Sequence, residues 1–310
     1  MEQNNNLEII SSDWCYYLVA FLDVLGQKDT FAKFSKIQSI EEIDDKIKSD
    51  ISENLYYLEQ LRKNLENYFN DYTREEPSSV IINESYKDKF DQMRKAEIYF
   101  QFFSDSVIAF VPLEFKSFYS VTVNGAWGLL GASCAAILGS LALNHSIRGG
   151  VEICWGTRLK SGEIYGPALN MAYCLESVVA KYPRIVVGDG VWNYLNSLSN
   201  QIQQHREQTL IDIDLCKRMA DRCLNFISKD RDSLLILDYL GKGFLELNKN
   251  SQEFFKLYDL SKKFIHDSLI IWQQKKDRKI EPKYQYLNDY FENRAIIVEK
   301  ARKIPKLRGR

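Results

Sequence analysis

CYYLVAFLD, residues 15–23, is a run of aromatic and branched apolar side chains that ends in a carboxylate. That composition predicts a buried β-strand, and the aspartate falls at the strand's end, where a sheet presents functional groups at its rim. Leu25-Gly26-Gln27 turns the chain towards a helix. From Ile40 to Tyr72 the sequence is highly charged, with Ile51, Leu55, Leu58, Leu61 and Leu65 at helical spacing, as on a long surface helix. Thr73–Lys95 contains EEPSS and little periodicity and reads as an exposed loop. EIYFQFF (97–103) and VIAFVPL (107–113) then form an antiparallel pair joined by Ser104-Asp105-Ser106, so a second aspartate occupies a turn at a strand end.

Further on, Gly125–Leu143 reads GAWGLLGASCAAILGSLAL, 19 residues without a charge. The length is that of a membrane span. Its Gly, Ala, Ser and Cys content, the strand-like runs on both sides and the missing basic flank favour a buried helix packed close to a sheet. Ile147–Trp155, with Gly149-Gly150 inside it, is the next strand. Ser161-Gly162 makes a turn, and Pro167 suits the first turn of a helix that continues ALNMAYCLESVVAK. Arg184–Val187 returns as a short strand before Gly188-Asp189-Gly190. The order β-α-β-β-α-β-α-β predicts an α+β sandwich of ferredoxin-like type, with helices covering one face of a largely antiparallel sheet. Beyond Leu195 the chain is mostly helical, with DSLLILDYL (232–240) as an added strand and two helices within 251–304. The organisation expected is a flexible stretch over 1–14, a main domain over 15–245 and a helical extension over 246–310. The basic end KARKIPKLRGR reads as a solvated, frayed tail.

Composition narrows the partners. The 310 residues carry 41 Lys+Arg against 42 Asp+Glu, so no global field directs the chain to nucleic acid or to an acidic membrane, and the expected partner is small. The six cysteines lack CxxC spacing, and MEQNNNLEIISSDW lacks the basic-then-apolar order of a signal peptide; a reducing cytoplasm is the expected home. Three scattered histidines leave little for a zinc site or a His-centred triad. Metal chemistry therefore falls to carboxylates. Asp23 and Asp105, brought together at one rim, could hold two hard divalent ions, Mg²⁺ or Mn²⁺, one activating a hydroxyl and the other neutralising phosphates. Taken alone the pair reads first as turn caps; the motifs around it reverse that preference.

VAFLDVLGQ (19–27), FFSDSVIAF (102–110), IRGGVEICWG (147–156) and EIYGPALNMAYCLES (163–177) resemble, in order, the motifs of the class III nucleotidyl cyclase catalytic domain. The resemblance runs from about Tyr16 to Gly190. It implies that Asp23 and Asp105, with the carbonyl of Val24, hold the two metals, that Gly26 lets backbone amides approach the triphosphate, and that Asn170 orients the ribose or the transferring phosphoryl group. The base-reading positions fall on Gln101 and Glu163, a pair that matches neither adenine nor guanine readers and suits the mixed edge of a pyrimidine. The arginine usual four residues after the asparagine is Cys174 here, and a thiol cannot replace a guanidinium fork. Arg148 is the first candidate to supply that charge, followed by Lys181 and Arg184.

The chain is further similar to the compact pyrimidine cyclases of bacterial anti-phage systems. That similarity implies a homodimer with sites across its interface, turning UTP, or CTP, into a 3′,5′-cyclic monophosphate and pyrophosphate. The alternatives are a purine cyclase with atypical base contacts and a non-catalytic nucleotide sensor.

Overall fold

The computed structural model describes residues 14–26, 45–74, 91–92, 94–113, 119–200 and 210–303. The expected loose N-terminus, the turn at Gln27, the start of the helix at Ile40, most of the loop over 73–95 and the end of the basic tail lie outside the described residues.

The first strand, β1 (Trp14–Val24), is apolar at every position from Tyr17 to Leu22, so both of its faces need cover. It sits centrally. β3 (Ser106–Pro112) pairs on one side with Asp23 opposite Ser106, and β4 (Ile147–Arg158) on the other with Asp23 opposite Arg148, both antiparallel. β2 (Tyr99–Phe103) adds to β3 as a hairpin, and the short β5 (Ile164–Tyr165) pairs with the far end of β4. The sheet continues beyond β4 through β6 (Ile185–Val187), which is parallel to β4, then β8 (Leu235–Leu237) and β7 (Ile227–Lys229), giving the order β2-β3-β1-β4-β6-β8-β7. The architecture is a mixed α+β fold around an open, mostly antiparallel sheet. β7 was not legible in advance, and the strand expected over 232–240 contracts to three residues of a 227–237 hairpin.

Alternation along β1 divides the core. Leu18, Ala20, Leu22 and Val24 face α1 (Asp45–Arg74) and α2 (Tyr119–Ala142), while Tyr17, Val19 and Phe21 face Ile164, Ala168 and Ala172. The last two belong to α3 (Pro167–Cys174), so helices lie on both faces of the sheet, although cover of one face was expected. α1 buries Leu58, Leu61, Leu65 and Phe69 on one stripe, whereas Leu55 is exposed. α2 is the uncharged helix. Its stretch Val121–Ala142 is long and apolar enough to cross a membrane, yet 89% of the most apolar window is buried within the protein. The small residues explain the fit: a Cβ on Gly128 would lie 2.4 Å from Thr73 and 2.8 Å from the Phe69 ring.

Gly150 has the same role on the opposite face, since a Cβ there would come 2.5 Å from the Ala172 carbonyl oxygen and 2.9 Å from the Glu176 amide nitrogen. Backbone cannot yield as a flexible side chain can. Gly150→Ala is expected to cost about 1–3 kcal/mol in a denaturant titration, because it wedges α3 away from β4. Unchanged stability would show that this approach is looser than the distances state.

The remaining helices are α4 (Asp189–Ser199), α5 (Leu210–Leu224), α6 (Lys242–Asn248), α7 (Gln252–Lys275) and α8 (Glu281–Arg302). The last two form an antiparallel hairpin. α7 starts with Ser251 accepting a hydrogen bond from the Phe254 amide and ends at left-handed Lys276, which turns the chain back. This hairpin shares the main core: Phe254, Tyr258, Ile265 and Leu287 belong to the same apolar cluster as Leu130 and Ile137. The Ser261 hydroxyl donates to the Leu138 carbonyl of α2 at 3.0 Å. On α8, Tyr290 and Arg294 both donate to the Asp238 carboxylate, at 2.7 Å each, fastening the helix to the end of β8.

Candidate functional site

Where β1 ends, its backbone is tied to two neighbouring segments. The Val24 amide donates to the Asp105 carbonyl at 3.2 Å and the Leu25 amide to the Ser146 carbonyl at 2.9 Å. These bonds bring the end of β1, the β2–β3 turn and the start of β4 to one rim. Gly26 follows with φ 98°, a left-handed conformation that explains the glycine; a Cβ there would meet open space. Asp23, Val24, Gly26, Asp105 and Arg148 all line one cavity of about 720 Å³.

Asp23 is the most perturbed group in it. Its Oδ1 accepts from the Ser106 hydroxyl at 3.1 Å, and its Oδ2 lies 3.6 Å from Arg148 Nη2. Burial pushes its pKa up to about 7, helped by the negative charges of Glu176 and Asp105 and opposed by Ser106 and Arg148. The rim itself brings the carboxylates of Asp23, Asp105 and Glu176 to Arg148, three acids to one cation, which is the local electrostatic condition for a divalent ion. Among the described residues no three of His, Cys, Asp and Glu form a ready cage. Two carboxylates on an open cavity nevertheless fit magnesium, which keeps several waters and borrows oxygens from its substrate.

Glu176 was not singled out from the sequence. It is 3% exposed and accepts from Arg148 Nε at 2.6 Å, with Arg148 Nη2 also against the same oxygen. Its position depends on a local change of helix type. After Cys174, α3 widens into a π turn over Leu175–Val179, closed by the Ala180 amide on the Leu175 carbonyl at 2.8 Å. Such insertions often accompany functional positions. The available signal was an acid in an otherwise apolar helix, with an arginine just ahead of the Gly pair it packs on.

The other expected site residues lie away from this cavity. Asn170 and Glu163 are exposed, and the Gln101 side-chain oxygen accepts from the Ile164 amide at 3.2 Å, which brings Gln101 beside Glu163. Cys174 and Lys181 are exposed as well. Arg184 is 2% exposed and is committed elsewhere: its guanidinium meets Asp232 at 2.6 and 3.0 Å, meets Asp230 more closely still, and donates through Nε to the Ala180 carbonyl. Of the three cations considered as substitutes for the arginine missing at Cys174, Arg148 is the one that lines the cavity. The α7–α8 hairpin also lines the cavity, through Trp272, Lys279, Ile280, Lys283 and Tyr284.

Exposed aromatic side chains cluster at both ends of β1: Phe103 and Tyr173 line the cavity, whereas Trp14, Tyr16, Trp155 and Tyr165 lie at the opposite end of β1 and β4. Trp14, Tyr16, Phe103, Trp155, Tyr165 and Tyr173 are each between 46% and 64% exposed. Trp14 and Trp155 lie against each other, with ring centroids 5.2 Å apart.

Comparison with known proteins gives no match: no family model, no curated protein and no solved structure corresponds to the chain.

Proposed function

We propose that the chain is a two-metal nucleotidyl cyclase acting on a pyrimidine nucleoside triphosphate, UTP before CTP, as a homodimer. The observation that carries this reading is the meeting of Asp23 and Asp105, from two separate strand ends, on one cavity beside Arg148. The segment order supports it too. In the order β4-β1-β3-β2 each strand is antiparallel to its neighbours, with α1 and α2 on one face, which is the arrangement of a ferredoxin-like β-α-β-β-α-β unit.

In the reaction the substrate's 3′-hydroxyl gives up its proton to solvent, its oxygen bonds to the α-phosphorus, the bond from that phosphorus to the bridging oxygen breaks, and pyrophosphate leaves with the electron pair. Two divalent ions, held by Asp23, Asp105 and the Val24 carbonyl, would supply the charge neutralisation. The chain's own work is positioning. Ser106 orients Asp23, and Glu176 holds Arg148 against the carboxylate rim, where its guanidinium can face a phosphate oxygen.

Asn170, Gln101 and Glu163 stand apart from the cavity in the same chain, so one copy alone does not assemble every expected contact. The exposed aromatic surface gives a second copy something to cover, and a two-fold pair would offer Asn170 of each copy to the other's aspartates. Gln101 and Glu163 lie next to each other, as a base-reading pair must. A non-catalytic nucleotide sensor is the second reading, favoured by the exposed Cys174 and by an Arg148 already paired with Glu176.

The deciding experiment incubates the purified chain with Mn²⁺ and, separately, ATP, GTP, CTP and UTP. A cyclic pyrimidine monophosphate with stoichiometric pyrophosphate is expected from one of them. A cyclic purine product would overturn the base assignment, and no product from any would favour the sensor.

A further inference from the structure

The cavity has two chemically different walls. The sheet rim contributes Asp23, Asp105 and Glu176, and Arg148 is drawn onto these acids. Lys279 and Lys283, at the junction of α7 and α8, line the same cavity. This junction is built, not incidental. Lys276 takes a left-handed conformation at φ 52°, and the Asp277 carboxylate then accepts from the Lys279 and Ile280 amides at 2.9 and 3.0 Å. Lys279 lies in the turn before α8 and Lys283 in its first turn, and both line the cavity. Tyr284 is fixed against the Phe264 ring of α7 at 5.8 Å, and Tyr286 of α8 stacks on Tyr182 at 4.8 Å, so the junction is anchored to both the hairpin and the sheet side.

A cavity of about 720 Å³ lined both by carboxylates and by two lysines is complementary to a divalent cation bound to a polyanion. The cations sit at the carboxylate wall, and the anion's outer oxygens reach the ammonium groups. Lysines suit this task as compact point charges with three donors each. We infer that the α7–α8 junction is a polyphosphate-binding wall, in which Lys279 and Lys283 take the terminal phosphates of the substrate while the aspartate rim takes the metals. The C-terminal hairpin is then a working part of the site. The inference rests on the reading above only for the identity of the anion as the tail of a nucleoside triphosphate.

The test uses inorganic tripolyphosphate as probe and calorimetry on the full chain, with and without Mn²⁺. Lys279→Gln/Lys283→Gln is expected to weaken tripolyphosphate at least tenfold under both conditions, and Lys279→Arg/Lys283→Arg to restore most of it. Both lysines are at least partly exposed, and thermal melts of each variant verify the fold. Asp23→Asn/Asp105→Asn should remove only the Mn²⁺-dependent part of the binding. In turnover, the glutamine pair should raise KM at least tenfold, with kcat within about threefold. Equal tripolyphosphate affinity in wild type and the glutamine pair, or no binding to wild type, overturns the inference whatever the cyclisation assay gives. Lysine-dependent binding without any cyclic product upholds the wall and removes the cyclase reading instead.

Discussion

Asp105→Asn and Asp23→Asn are each expected to leave the chain folded and, on the cyclase proposal, to bring cyclic-nucleotide formation below detection, at least about a thousandfold down, judged against the hundred- to thousandfold cost of one lost oxyanion contact. Asparagine preserves the shape of the side chain while removing its charge, so packing is not the cause. The two variants part company in stability. Asp23 has a folded-state pKa pushed up to about 7 from the ordinary 3.8, first by burial and then by Glu176 and Asp105. A raised acid favours the fold while protonated; that contribution is complete below about pH 4 and is lost as pH rises through 7. Above pH 7 the metal-free wild type therefore carries a buried charge that Asp23→Asn does not. The variant should melt higher than wild type at pH 8 without metal, and the gap should close towards pH 4. Saturating Mn²⁺ should raise the melting temperature of wild type and not of the variant. Full activity in either variant would end the two-metal assignment, and a variant that melts lower at pH 8 would show that Asp23 is better compensated than its surroundings state.

Arg184→Ala is expected to destabilise the chain by about 3 kcal/mol, the low end for breaking a buried ion pair because Asp232 is 40% exposed. The guanidinium sits where β6 begins, with Asp230 and Asp232 from the β7–β8 hairpin around it, and Tyr286 of α8 donates to the same Asp230 carboxylate at 2.7 Å. Removing it leaves two acids facing each other and frees one of the fastenings of α8. Chemical denaturation measures the loss. Arg184→Ala combined with Asp230→Asn and Asp232→Asn should recover a large part of it, since no unpaired charge then remains. If the single variant unfolds like wild type, the network is solvated and the position reverts to a possible substrate contact.

The contrast between Arg184 and Arg148 marks how far the sequence could be read. β1, β3 and α2 announce themselves by long uncharged, largely apolar runs, β2 and residues 147–155 of β4 by apolar runs broken only at Gln101 and at Arg148 and Glu152, and their order carries the topology of the first half. Ile227-Ser228-Lys229 is too short and too polar to signal a strand; it is one because Leu235–Leu237 lies beside it. Cover on a second face of the sheet was implicit in the two-sided apolar character of β1 but needed α3 to be located. For the site, both aspartates and Arg148 could be named from strand ends and a glycine pair. Glu176, Lys279 and Lys283 could not, because what brings them to the cavity is a π turn and a helix junction, and neither leaves a spacing pattern in the chain.

The uncharged helix α2 has a consequence for how the protein is made. It is enclosed by α1, which precedes it, and by α5 and α7, which follow it by some way. Because chains emerge from the ribosome N-terminus first, a nascent segment with the length and hydropathy of a membrane span is born before residues 252–275 exist to shield it. For that interval it presents the same surface that the membrane-targeting machinery and the holding chaperones select. A ribosome stalled ahead of α7 would therefore display a false membrane signal, and truncations ahead of Gln252 should be recovered with membranes or chaperones where the full chain is not.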